Sequence, residues 1–150
     1  MVRSYLDYCC PVWSPFRKGD IEALEKVQKR ATKKTPALKN LPYKDCLKAC
    51  NLSTLHYRRL RGDTIETYKI LSGKYNTSVV PYFIRTGTQT TRGNDFRIFK
   101  TRFKYDLRKF YFTNQVVDTW NSLPNYIVTA NNTNIFKRRL DAYRQDQDII

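Results

Sequence analysis

Between Asp20 and Thr35, apolar residues recur at Ile21, Leu24, Val27 and Ala31, the spacing of one helical face. Asp20 supplies an N-cap and Pro36 stops the run, so a helix is expected over about 20–35. Lys26, Lys29, Arg30 and Lys33 fall on the opposite side, giving one helix a core face and a basic face. Pro42 opens a second, short helix to about Cys50. Asn51-Leu-Ser53 is a turn, with Ser53 as N-cap of a longer helix to about Ser72, closed by Gly73. Its apolar side is Tyr57, Leu60, Thr64, Tyr68 and Leu71; Arg58 and Arg59 are expected to project away, with Arg61 nearer the apolar side. Gly62 costs that helix about 1 kcal/mol relative to Ala, for which the close approach of another backbone would be a reason. Upstream, residues 2–10 read as the end of a helix stopped by Pro11, and Trp13 anchors the rigid stretch that follows.

Past Gly73 the helical pattern fades into a loop rich in Thr and Gly. The period then switches to two. Phe99, Thr101, Phe103 and Tyr105 alternate with Lys100, Arg102 and Lys104, which predicts a half-buried strand with one basic face. Phe112, Val116, Trp120 and Leu123 return to helical spacing after the N-cap Thr113, and Pro124 ends them. A last helix, from about Asn134 to Arg144, carries Phe136, Leu140 and Tyr143 inward, with Lys137, Arg138 and Arg139 beside them. The pattern therefore predicts a mainly α chain with a small β-strand pair in its C-terminal half. Its expected organisation is a helical lobe over 1–74, a linker over 75–95 and a second lobe over 96–150, the two lobes with separate cores or one shared.

Charge changes this picture most. The 150 residues carry 28 Lys+Arg against 13 Asp+Glu, a net charge of +15, while 41% are hydrophobic and 14% aromatic. A disordered basic tail would lack that apolar half. The excess is spread evenly, with 16 basic and 7 acidic residues in 1–75 and 12 and 6 in 76–150. A positive surface on a folded domain points first to phosphate backbone as partner. An acidic protein or membrane surface is the alternative, and a merely solvated face the plainest one.

Other chemistry is thin. Cys46, Cys50 and His56 could be drawn as part of a zinc site. Cys-x3-Cys on a helix instead puts both thiols on one face beside Leu47 and Leu52, where Cys serves as a small hydrophobe. A fourth ligand would have to come from Cys9 or Cys10. Reduced thiols and the lack of a secretory leader suit a nuclear or cytoplasmic location, so the Asn-X-Ser/Thr triplets at Asn51, Asn76 and Asn131 are expected to be composition rather than glycosylation sites. No apolar run reaches membrane-spanning length. There is no Gly-rich phosphate loop, no Gly-x-Ser-x-Gly, no His-Glu-x-x-His and no Asp-Asp pair. The expectation is a chain without catalysis, metal, cofactor or small-molecule substrate.

The segments so located form a recognisable series. Tyr8-Cys-Cys-Pro-Val-Trp-Ser-Pro15, Asp20-Ile-Glu, Val27-Gln-Lys-Arg-Ala-Thr32 and Leu55-His-Tyr-Arg-Arg-Leu-Arg-Gly-Asp63 resemble the region downstream of the polymerase active site in jockey-like LINE (non-LTR) retrotransposon reverse transcriptases. The resemblance continues through Tyr68-Lys-Ile-Leu-Ser-Gly73, Asn114-Gln-Val-Val-Asp-Thr-Trp-Asn-Ser-Leu-Pro124 and Phe136-Lys-Arg-Arg-Leu-Asp141, covering almost the whole chain. It implies a helical thumb and C-terminal segment of an RNA-directed DNA polymerase, without the palm and its Ala-Asp-Asp motif, as in an element copy truncated at its 5′ end. A thumb grips the template–primer duplex through phosphates without reading sequence. On that basis Lys26, Lys29, Arg30 and Lys33 are the first candidates for backbone contact on RNA or an RNA–DNA hybrid, then Lys100, Arg102 and Lys104, then Arg58 and Arg59. Arg59 can instead pair with Asp63 at i+4. Trp13 and Trp120 are expected to be core anchors. The rival expectation is a structural remnant whose basic faces docked on the parent polymerase palm, leaving an orphan apolar patch on residues 1–13.

Overall fold

The computed structural model describes residues 8, 12, 15, 17–76, 78–86, 94–105 and 110–145. The chain is mainly α. Among the described residues it has six α-helices: α1 (Lys18–Thr32), α2 (Tyr43–Ala49), α3 (Leu55–Leu71), α4 (Phe112–Asn121), α5 (Asn125–Val128) and α6 (Thr133–Gln145), with a 3-10 turn at Pro36–Leu38. Two compact units divide between Gly62 and Asp63, inside α3. The helix end expected at 2–10 and the Trp13 anchor lie outside the described residues.

In the first unit, α1 starts two residues ahead of the expected cap. Arg17 takes the N-cap position without a side-chain bond, and Asp20 sits in the first turn, where its charge favours the helix dipole. The buried stripe is also rotated from the expected one. Val27 is 41% exposed, while Gln28 and Thr32 are buried. Ile21, Leu24, Glu25, Gln28 and Ala31/Thr32 still follow the helical repeat, and polar partners admit the polar members. Gln28 Nε2 donates to the Tyr43 hydroxyl (3.1 Å) and the Ser53 carbonyl (3.3 Å). Tyr43 donates to Glu25 Oε1 (2.5 Å), and the Leu55 backbone N–H donates to Glu25 Oε2 (3.1 Å).

Helix α2 ends in a Schellman cap. Asn51 adopts φ 50°, its N–H donates to the Lys48 carbonyl (3.0 Å), and Leu52 N–H donates to the Leu47 carbonyl (2.8 Å). Thr54, not Ser53, caps α3: its hydroxyl accepts from Tyr57 N–H (3.2 Å). Gly73 closes α3 as expected, at φ +66°, with Gly73 N–H on Ile70 O and Lys74 N–H on Lys69 O (both 3.1 Å). A Cβ on Gly62 would meet nothing within 4 Å, so close backbone approach is not what keeps that position glycine. Cys46 is fully buried and Cys50 half-buried, both free; the Cys46 thiol faces the Leu38 carbonyl at 3.3 Å.

The second unit holds one apolar core. Ile65 and Tyr68 of α3 join Val116, Val117 and Trp120 of α4, Leu123, Ile127 and Val128 around α5, and Phe136 and Leu140 of α6. Tyr68 and Phe136 stack with centroids 4.2 Å apart, and Trp120 lies 6.0 Å from Phe136. Pro124 ends α4 as expected but also serves as N-cap of α5, which no periodicity announced. Tyr111 rather than Thr113 occupies the N-cap of α4. Arg144 is buried, its guanidinium donating to the Thr64 hydroxyl (3.2 Å).

The expected strand pair is reduced to a single antiparallel bridge, Arg85 with Ile98, and the described residues contain no strand. Thr86 N–H donates to Arg97 O (2.9 Å) and Phe99 N–H to Ile84 O (2.7 Å). A side chain occupies the other edge. Asn121 Nδ2 donates to the Ile98 carbonyl (2.9 Å) and Asn121 Oδ1 accepts from Ile98 N–H (3.0 Å), blocking further pairing there. The buried position at the bridge is also not one of the expected ones. Ile98 is 2% exposed, whereas Phe99 is 54% and Tyr105 74% exposed. Phe99 and Tyr105 are therefore not on the core, and because Lys100, Arg102 and Lys104 are exposed as well, neither parity is buried past Ile98.

Candidate nucleic-acid interface

The sequence-expected site residues fall into two groups, one in each unit. On α1, Lys26, Lys29, Arg30 and Lys33 are all exposed and occupy i, i+3, i+4 and i+7. With Lys34 they line an open hollow of about 290 Å³. Lys34 was not among the expected residues, although its place four after Arg30 puts it on the same face. From Lys26 to Lys34 the helix rises about 12 Å, enough for roughly three to four phosphates of one strand at ~3.4 Å each.

Two local features keep this face positive. Glu25 lies four residues before Lys29, the arrangement for an i,i+4 ion pair. Its two carboxylate oxygens instead hold Tyr43 and the first N–H of α3, so it leaves the cations unneutralised. No described residue forms an ion pair with Lys26, Lys29, Arg30 or Lys33. Lys29 and Arg30 sit in the last turn of α1, where the negative end of the helix dipole stabilises them. Arg58 is exposed on α3. Arg59 is not: at 4% exposed it is a buried residue, contrary to the expected outward projection. Its neighbours Leu55 and Asp63, one turn away on either side, are buried with it, so this is the inward side of α3.

In the second unit Lys100, Arg102 and Lys104 are exposed. Lys100 forms an ion pair with Asp118 of α4, which lowers its value as a phosphate contact. No described residue pairs with Arg102 or Lys104. Arg138 and Arg139, with Ile135, Asp141 and Ala142, line a second open depression on α6. Asp141 gives it mixed sign, and Arg139 donates to the Tyr126 carbonyl.

The ionisation of Lys69 is displaced. Its hydrogen bond to Glu66 (3.0 Å) holds the ammonium above its ordinary 10.5, against partial burial and with help from Tyr75. Among the described residues, no cluster of three or more His, Cys, Asp or Glu is arranged to hold a metal, and no helix is long and apolar enough to cross a membrane. His56 is exposed. Cys9 and Cys10 lie outside the described residues. Comparison with family models, curated proteins and solved structures finds no match.

Proposed function

We propose that the chain is a non-catalytic nucleic-acid clamp that holds RNA or an RNA–DNA hybrid by its phosphates. In this reading it is the thumb and downstream region of a jockey-like LINE reverse transcriptase, working in the nucleus or cytoplasm. The observation that carries it is the α1 face, where Lys26, Lys29, Arg30, Lys33 and Lys34 share one hollow and Glu25, four residues before Lys29, is committed to Tyr43 and Leu55. Such a surface attracts any phosphate backbone without reading bases. The resemblance of the whole chain to that family supplies the duplex to be gripped.

The test is binding of a labelled RNA–DNA hybrid across a salt series, with a Lys29→Gln/Arg30→Gln/Lys33→Gln variant beside the parent. Loss of three phosphate contacts flattens the slope of log K against log salt by about two to three units. Equal slopes for parent and variant would sink the α1 assignment. A second reading, docking on the parent polymerase's palm with no nucleic-acid role, draws on Tyr8 and Val12, which are 78% and 81% exposed. It takes the lead if the parent chain does not bind the hybrid at all.

A further inference from the structure

The segments 82–86 and 97–99, joined at the Arg85–Ile98 bridge, carry an outer face that the clamp reading does not use. Around the Arg85–Ile98 bridge, Ile98 and Phe83 face the core at 2% and 8% exposure, and Asn121 and Trp120 fasten the inner edge. Trp120 Nε1 donates to Phe96 O at 2.8 Å, and Arg85 lies over the Phe96 ring while donating to the Leu71 carbonyl. These bonds fix which side looks outward. Ile84 and Phe99, joined by the 2.7 Å backbone bond, share the outer face, and Tyr82 follows two residues from Ile84, about 7 Å along an extended chain. Tyr82 is 86% exposed, an unusual place for a ring with an apolar body.

Charge tells what fits there. Residues 97–105 contain Arg97, Lys100, Arg102 and Lys104 and no acid, interleaved with Phe99, Phe103 and Tyr105, all exposed. An apolar protein partner or lipid core would be opposed by desolvating these cations. Open aromatic faces in a segment of net positive charge instead match the bases and phosphates of an unpaired strand, since every base has a π face and a helical duplex buries its own.

We propose that Tyr82 and Phe99 form a stacking platform for a single-stranded nucleic acid, whose phosphates the positive charge of 97–105 attracts. This rests on the clamp reading for the chain as a whole but uses a different surface and a different state of the strand. The α1 hollow holds duplex; the face of Tyr82 and Phe99 holds the single strand.

The experiment titrates the full chain with labelled oligouridylate, labelled oligothymidylate and the RNA–DNA hybrid. Tyr82→Leu and Phe99→Leu keep apolar area but remove the π face. Each is expected to weaken single-strand binding by roughly 5- to 150-fold and to leave hybrid binding and its salt slope unchanged, while Phe99→Trp retains single-strand affinity. Far-UV circular dichroism confirms that these exposed substitutions leave the fold intact. Unchanged oligonucleotide affinity in both Leu variants overturns the platform while leaving the clamp standing. Equal loss on hybrid and single strand also overturns it, because stacking on open bases is then not what the rings supply. A parent that binds none of the three probes overturns both proposals. Preference for oligouridylate over oligothymidylate assigns the strand as RNA, and the reverse as DNA.

Discussion

The two units differ in the size of the apolar core among their described residues, while both bury polar side chains. The second closes around large apolar side chains, with Trp120, Phe136, Ile127, Leu140 and Val117 each less than 2% exposed. Among its described residues the first buries Gln28, Thr32 and Arg59 alongside the apolar Cys46, Leu47 and Leu55, and is tied by the Glu25–Tyr43–Gln28 network. Hydrophobic burial is non-directional and tolerant, whereas a buried polar network depends on every partner being present. This contrast separates support from binding: the unit with the smaller apolar core carries the densest basic face on its outside. A surface with five clustered cations repels itself, and directional bonds beneath it hold the helix in one position against that repulsion.

The contrast can be broken most forcefully at Phe136. Phe136→Ala removes the ring that contacts both Tyr68 and Trp120, and is expected to cost about 3–5 kcal/mol of the second unit's stability. Urea unfolding followed by near-UV circular dichroism measures it. A loss below about 1 kcal/mol would mean that this core is not what holds the unit.

Next in size is Glu25→Gln. A neutral amide cannot accept from both Tyr43 and Leu55 N–H as the carboxylate does, so the first unit is expected to lose about 1–3 kcal/mol. Amide hydrogen exchange should accelerate at Leu55 and along α1 while the Trp120 indole N–H keeps its protection. Uniform acceleration in both units would remove the distinction drawn between them.

The smallest effect belongs to Lys69. Lys69→Met is expected to cost about 0.2–0.5 kcal/mol, the scale of an exposed helical pair. Because the folded-state pKa is raised, the contribution is fully present below 10.5 and lost as pH rises through the folded value. The parent-minus-variant difference in urea midpoint should therefore vanish in strong alkali. A difference that persists there would place the effect in the lysine's hydrocarbon stem.

Much of this fold was legible in apolar spacing. The long helices from Lys18 to Leu71 and from Phe112 to Gln145 follow it to within about three residues, because their stripes meet real cores. What escaped has physical causes. Val27 looks more apolar than Gln28, yet Gln28 is buried because Tyr43 and Ser53, remote in sequence, satisfy its amide. Arg59 reads as surface by residue type, but lies on the same side of α3 as Leu55 and Asp63. The alternation from Phe99 to Tyr105 meets no core; the inward residue is Ile98, fastened by Asn121 over twenty positions away. The α1 candidates were readable because exposure follows helical geometry; Arg102 and Lys104 were readable as cations, but the open rings between them were not.

Trp120 turns the second unit into its own optical instrument. The indole is 1% exposed, its N–H is held by the Phe96 carbonyl, and it lies near the Phe136 ring. With Trp13→Phe as background, Trp120 is the chain's sole remaining indole. Its emission should be blue in the native state and shift red only when the apolar core opens. One wavelength would then time the opening of this unit in stopped flow, without a label and without a signal from the basic helix at the other end of the chain.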